Sequence, residues 1–422
     1  MNDKKENMRY KKYMIKKNRN FFKFKQVGYI AAFFTALSFY PAQALNLKKD
    51  FVRENIKGKT AIITAADTSD SEFTDLCLFS LRFIQMNYVL LSSDDDFILL
   101  ARETVKKIPA AADSEIPPLL ESIFSMTENA GLQKDILDNF ILCADSPSFQ
   151  AAVLDGDSSP VRRINTFTEK KIHNFTAGTG TAETDVALLK TAITALGKFK
   201  NLSSFSVLFA CYMCADTDIA AQAEKALENF AGIYNKQVRA LITNGNITEK
   251  RRALDLVLNN PNNSDFFKAE MSENALAQTI KCSAVAAADA EECVKLKMTA
   301  VRELYRVSWT RSPALMKDVF IAAQKEYNAG FLTDSRFIEI MYAFTRLASA
   351  EAGTHLSAYL KELNKNREEN KDVSTPVVLA VIQSLQLLGD KTAFDDLLYA
   401  TYQSYPEEVL QAARDALSKL KW

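Results

Sequence analysis

The stretch SYPEEVLQAARDALSKL, residues 404 to 420, is the one whose reading decides the fold. Its apolar positions Val409, Ala412, Ala413, Ala416, Leu417 and Leu420 advance by three, one, three, one and three, the stripe of an amphipathic helix. Pro406 with Glu407 and Glu408 suits a first turn, Ser404 and Glu407 have capping-box spacing, and Lys419 and Lys421 suit the last turn of a helix dipole. A stripe holding three alanines approaches its neighbour closely. A lone helix of this length is marginal in water, so the pattern must recur if it is to make a fold.

It recurs. DIAAQAEKALENF (218 to 230), set back by 190 positions, places Ile219, Ala223, Ala226, Leu227 and Phe230 on Val409, Ala413, Ala416, Leu417 and Leu420. The preceding segments DVALLKTAITALG (185 to 197) and PVVLAVIQSLQLLG (376 to 389) pair Val186, Leu189, Ile193, Leu196 and Gly197 with Val378, Val381, Leu385, Leu388 and Gly389. Glycine after the last apolar position reads as a helix stop. Looser helical pairs lie at 76 to 108, 114 to 144, 236 to 309, 312 to 330 and 335 to 366, and no run shows the alternation of a half-buried strand. Each hairpin leaves apolar surface outside itself, which stacking buries. The expected fold is all-α, an α-solenoid of stacked antiparallel helical hairpins.

The terminal motif, an acidic or proline-containing start followed by V-x-x-A-A-x-x-A-L-x-x-L, resembles the second helix of a HEAT or armadillo-like repeat. The resemblance covers 185 to 230 and 376 to 420, and the remainder only by hairpin rhythm. Gln222, Glu224 and Gln411 stand where that repeat carries an arginine, and the unit lengths are irregular. The W-x2-L-G-x2-Y pattern of tetratricopeptide repeats is missing. The resemblance implies a HEAT/ARM-like superhelix and says almost nothing of function.

Residues 1 to 26 carry ten basic side chains against Asp3 and Glu6; VGYIAAFFTALSFY and then PAQA follow. Basic, apolar and small-residue regions in that order make a signal peptide over 1–44, cut after Ala44, with an uncleaved N-terminal anchor as the alternative because 27 to 45 approach the length of a membrane span. Localisation is then the periplasm or another exported cell-envelope compartment, with no stable membrane span after cleavage. Of 52 basic and 52 acidic residues in the chain, 10 and 2 precede residue 45, which leaves 42 and 50, a net charge of −8. No nucleic-acid partner is expected of such a chain, since phosphate binding draws on a basic face. KRRA (250 to 253) and the pair Arg162 and Arg163 read as solvated surface.

The expected division is N-terminal helical repeats over 45–154, an irregular joint or loop over 155–184 around at most a short helix, and C-terminal helical repeats over 185–422 with a terminal cap at 404–422. KELNKNREENKD (361 to 372) reads as a charged link.

Six cysteines follow residue 44. Cys211 and Cys214 sit in an apolar run and read as buried thiols; Cys282 and Cys293, flanking SAVAAADAEE, are the candidate disulfide. His173 and His355 are the only histidines and begin no zinc motif, so surface or capping roles are expected. Asp94, Asp95 and Asp96 read as a helix cap rather than a calcium loop. GTGT (178 to 181) reads as a loop, with Thr184 capping the helix that follows. No catalytic, cofactor or metal residue is selected by the sequence. The reading is a non-catalytic protein- or peptide-binding scaffold of the cell envelope; the alternative is a helical-repeat enzyme or ligand-binding protein acting on an envelope polymer, marked by a deep polar pocket of convergent ionisable groups.

Overall fold

The structure is a computed structural model that describes residues 45–68, 71–109, 114–147, 149–150, 160–281 and 287–421. The signal or anchor segment, Cys282 and Trp422 lie outside the described residues. The chain divides into two compact units, one ending at Arg163 and the other beginning at Ile164. Among the described residues the architecture is all-α, without a β-strand.

In the first unit, α1 (Leu45–Arg53) pairs with α2 (Ile56–Ala65), α3 (Ser71–Leu91) with α4 (Asp95–Lys107), and α5 (Ile116–Met126) with α6 (Ala130–Cys143). Odd helices pack on odd and even on even, giving two layers with apolar side chains between them. Phe51, Phe97 and Phe140 fill that space. Caps fix where the helices begin: Asn55 accepts from the Gly58 amide, Asp94 from the amides of Asp96 and Phe97, and Asn129 from Leu132. The aspartate cluster thus caps α4 as expected. Pro117 and Pro118 open α5, where their missing amide protons cost nothing. Lys59 is buried, donates to the carbonyls of Val52 and Glu54, and lies over the rings of Phe51 and Phe83; burial holds its pKa below the usual lysine value.

Between Pro160 and Thr176 the chain forms a 17-residue helix, α7, much longer than the short helix expected inside 155–184. Its buried Val161, Ile164 and Ile172, at intervals of three and eight, show the helical stripe that the flanking glycines and threonines obscure.

In the second unit the hairpins are α9 (Phe205–Tyr212) with α10 (Thr217–Glu228), α11 (Asn235–Asn244) with α12 (Ile247–Asn259), α13 (Asp265–Lys281) with α14 (Ala287–Arg306), α15 (Pro313–Asn328) with α16 (Asp334–Leu347), α17 (Ser349–Glu368) with α18 (Thr375–Leu388), and α19 (Phe394–Ala400) with α20 (Glu407–Ser418). A leading helix, α8 (Glu183–Phe199), packs on α10. From α11 onward each helix packs on its counterpart in the next hairpin, so one layer runs α11, α13, α15, α17, α19 and the other α12, α14, α16, α18, α20. This repeated pairing is consistent with a stacked-hairpin solenoid. Ion pairs between successive helices of one layer follow the same rhythm: Arg239 with Glu270 at 2.9 Å, Arg302 with Glu339 at 2.6 Å, and Arg336 with Glu291 at 2.9 Å.

The two echoed segments fold alike, with one change of register. Helix α8 passes through Gly197 and ends at Lys200, and α18 ends at Gly389; both end residues are left-handed, with φ of 53° and 65°. Asn201 and Asp390 follow and accept from the amides of Ser203 and Thr392 at 3.0 and 2.9 Å, each opening one 3-10 turn, Leu202–Ser204 and Lys391–Ala393. The structural partner of Gly389 is therefore Lys200. Gly197 is not a stop: it is buried within α8, where an added Cβ would lie 2.6 Å from the Cβ of Ala226. It permits α8 and α10 to touch backbone to backbone.

Local assignments shift in three other places. Helix α20 begins at Glu407 behind Pro406, with no side-chain cap, and the Ser404 carbonyl instead accepts from Arg367. Helix α8 begins behind Ala182, so Thr184 lies inside its first turn rather than capping it. Residues 361 to 368 continue α17 rather than forming a link. At the other end of α20, Ala413 and Ala416 are fully buried, and the Lys421 amide donates to the Gly389 carbonyl at 2.9 Å.

Candidate binding surface

Helix α11 is flanked by two grooves. On one side α9, only eight residues long, packs loosely against α11, whereas α11 and α13 pack closely. The gap is a groove of about 740 Å³ lined by Phe205, Phe209, Ala210, Met213, Ala240 and Leu241, with Gln237 and Asn244 among its polar residues. Phe205 stacks on Phe209 and on Tyr234, with centroids 5.9 and 6.0 Å apart. Tyr234 is itself buried and accepts from Asn260 and Asn263, which anchors this wall to the turn after α12. The Oε1 of Gln237 is buried without a hydrogen-bond partner among the described residues.

On the other side lies a groove of about 530 Å³ between α11, α13 and the segment leading into α15. Its wall is built from the end of α14. Ser308 takes the left-handed conformation (φ 54°), and the Trp309 amide returns to the Leu304 carbonyl at 3.0 Å, a Schellman-type stop that throws Trp309 back across α13. The indole Nε1 donates to Glu273 at 2.6 Å, and its ring meets Phe266 edge-on at 5.3 Å. Arg311 lies over both rings, 5.3 Å from Trp309 and 5.5 Å from Phe266. Arg239 pairs with Glu270, and Asn274 donates to Thr243 at 3.2 Å.

Asp255 on α12 is a carboxylate pushed upward, raised by burial and opposed by Arg251 and Arg252. Arg251 binds Asp255 at 2.8 Å and also Glu292, while Arg252 lies 4.0 Å from the Tyr212 ring centroid and donates to its carbonyl. The KRRA run is thus built into cross-helix contacts rather than left solvated. Arg163, by contrast, stays on the surface as expected, 59 % exposed while it holds Glu121 at 2.7 Å.

The cysteines separate by environment. Cys211 is buried in the last turn of α9, and burial pushes its thiol up to about 12; Cys214 lies beyond the helix end and is partly exposed. Cys77 and Cys143 are buried, with thiols pushed up to about 12 and about 11 by the same cause. Cys293 is buried, and its pairing with Cys282 falls outside the described residues. His173 lies in the last turn of α7, and His355 lies inside α17 with its ring 6.3 Å from Phe344, further from a helix start than expected. No cluster of three or more His, Cys, Asp or Glu able to hold a metal occurs among the described residues. In GTGT, the amides of Thr179 and Gly180 donate to Asn174, so they end α7 rather than cradle an anion.

Sequence reasoning missed both grooves. One signal was present in the adjacent pair Phe266 and Phe267: neighbours on a helix face different ways, and here Phe267 is buried while Phe266 is 55 % exposed.

No family model matches the chain, and no curated protein matches it. Among solved structures, a crystal structure of an engineered protein is 14% identical, with 87% of this chain and 99% of that chain covered, at a TM-score of 0.29. A likeness of that order bears on neither fold nor function. No helix among the described residues is long and apolar enough to cross a membrane.

Proposed function

We propose that this chain is a non-catalytic, HEAT/armadillo-like scaffold that binds protein segments or peptides, exported to the cell envelope by a signal cut after Ala44, with repeats over 45–154 and 185–422 separated by 155–184. The observation that carries the binding role is the pair of open grooves flanking α11, one apolar and one lined by aromatic and polar side chains. Between them, Gln237, Ala240, Leu241 and Asn244 of α11 line one groove and Arg239 and Thr243 the other. A catalytic site would call for ionisable groups converging in a deep pocket, with pKa values moved toward their task. The export reading rests on the basic, apolar and A-x-A order of residues 1 to 44.

Two experiments test this. N-terminal sequencing of the native protein should begin at Leu45, and a membrane-retained product beginning at Met1, Met8 or Met14 would reject cleavage. For binding, the purified protein should capture polypeptides from envelope extract, and Ala240→Trp, which fills the apolar groove from an exposed position, should abolish capture without moving the melting midpoint. Equal capture by wild type and variant removes this groove from the binding surface.

A further inference from the structure

The second unit contains ten arginines. Nine of them are paired in the structure. Arg239, Arg251, Arg302, Arg306, Arg336 and Arg414 form ion pairs with carboxylates. Arg252 and Arg367 donate to the backbone carbonyls of Tyr212 and Ser404, and Arg346 donates to the Ser308 hydroxyl. Arg311 alone among them has no hydrogen-bond or ion-pair partner among the described residues, and it lies over the faces of Trp309 and Phe266. In a unit that satisfies every other guanidinium, an exposed one held over two rings is a donor fork set in place and left open.

The fork is also pre-positioned. Glu273 fixes the indole through its N–H, the Schellman-type turn fixes the backbone of Trp309, and Phe266 supports the ring from the side. A guanidinium ordered in this way loses less side-chain entropy when it meets a ligand. The nearby Glu270 is neutralised by Arg239, and Glu273 is engaged by the indole. Beside the fork, Phe266 leaves an apolar ring 55 % exposed.

We propose that the groove between α11 and α13 is a specificity site for an acidic-apolar peptide motif: an aspartate or glutamate of the partner forms a bidentate pair with Arg311, and a neighbouring apolar or aromatic side chain packs on Phe266. The charge complementarity of an unpaired guanidinium selects a carboxylate, and the adjoining exposed ring selects what stands beside it. This site refines the peptide-binding reading given above and rests on it.

The test is selection from a randomised ten-residue peptide library on the purified protein, in parallel with Arg311→Ala and Arg311→Glu. Wild type should enrich peptides in which Asp or Glu adjoins an apolar residue. Arg311→Ala should bind the enriched peptides about ten- to hundredfold more weakly, the loss of one charge-assisted contact. Arg311→Glu should turn the preference toward Lys or Arg, with an unchanged circular dichroism spectrum in both variants. Peptides enriched without a carboxylate, or bound equally by Arg311→Ala, overturn the proposal and leave peptide binding standing. Failure to enrich any peptide overturns both.

Discussion

Gly197 and Ala226 are a matched pair: the missing side chain of one makes room for the methyl group of the other, so that a Cβ on Gly197 would stand 2.6 Å from the Ala226 Cβ and 2.8 Å from its Cα. Neither atom is the end of a flexible side chain. The clash can be relieved only by moving α8 away from α10. Gly197→Ala should cost about 1–3 kcal/mol as an overpacked interface, even though alanine is the better helix former. Adding Ala226→Gly should recover part of that loss in thermal melts; no recovery would separate the two sites.

Ala416 occupies the corresponding place on the terminal helix and is fully buried. Ala416→Leu should lower stability by about 1–3 kcal/mol for the same reason. An unchanged melting midpoint would show that α20 is not tightly seated.

Ending the chain at Tyr402 removes α20 and the Lys421 amide that binds the Gly389 carbonyl. Buried Val378, Val381 and Leu385 of α18 lie on a helix that packs against α20. The truncated protein should melt earlier and associate, as newly exposed contiguous apolar surface does. Size-exclusion chromatography reads the association directly. A monomer with the wild-type midpoint would give the terminal segment a role other than capping.

Lys297 on α14 has a side chain 1% exposed and is held by both oxygens of Glu326 on α15, at 2.5 and 2.6 Å. Removing the carboxylate strands a buried ammonium. Glu326→Ala should therefore cost about 3–5 kcal/mol, whereas Lys297→Met with Glu326→Leu should return close to wild type in chemical denaturation. If the single and double variants match, the pair is hydrated and the argument fails.

The thiols of Cys77 and Cys211, pushed up to about 12, stay protonated in the folded protein at pH values where the unfolded chain ionises, above about 9. Ionisation thus favours the unfolded state, and stability should decline as pH rises from about 9 toward 12. At pH 8 a thiol reagent should label partly exposed Cys214 well before buried Cys211. Equal labelling rates, followed by mass spectrometry, would contradict the burial of Cys211.

Much of the fold was legible in periodicity, because a helix that buries one face must repeat its apolar residues every three or four positions. Val409, Ala413 and Ala416 announced α20, and Asp94 announced the start of α4. The register between the echoed segments was less legible, because glycine serves two purposes. Gly389 frees the backbone for a left-handed turn, while Gly197 frees space for a neighbour, and only the partner helix distinguishes them. Lys200 takes the left-handed position without glycine, which hid the true stop. The grooves were illegible for a different reason: they arise where α9 falls short and where the chain leaves α14, matters of tertiary spacing. Arg311 could not be singled out before the partners of the other arginines were known.

The layer-by-layer pairing in the second unit has a mechanical consequence. Each hairpin from α11 onward is held by its immediate neighbours, through links such as Arg302 to Glu339 and Tyr342 to Gln383 that span about forty residues of chain. A pull on its C-terminal end would first break the Lys421 to Gly389 bond, then peel α20 and α19 from α18 and α17, and so proceed one hairpin at a time. Such a unit yields to tension in small, separately reversible steps, and lengthens like a drawn spring rather than failing at once.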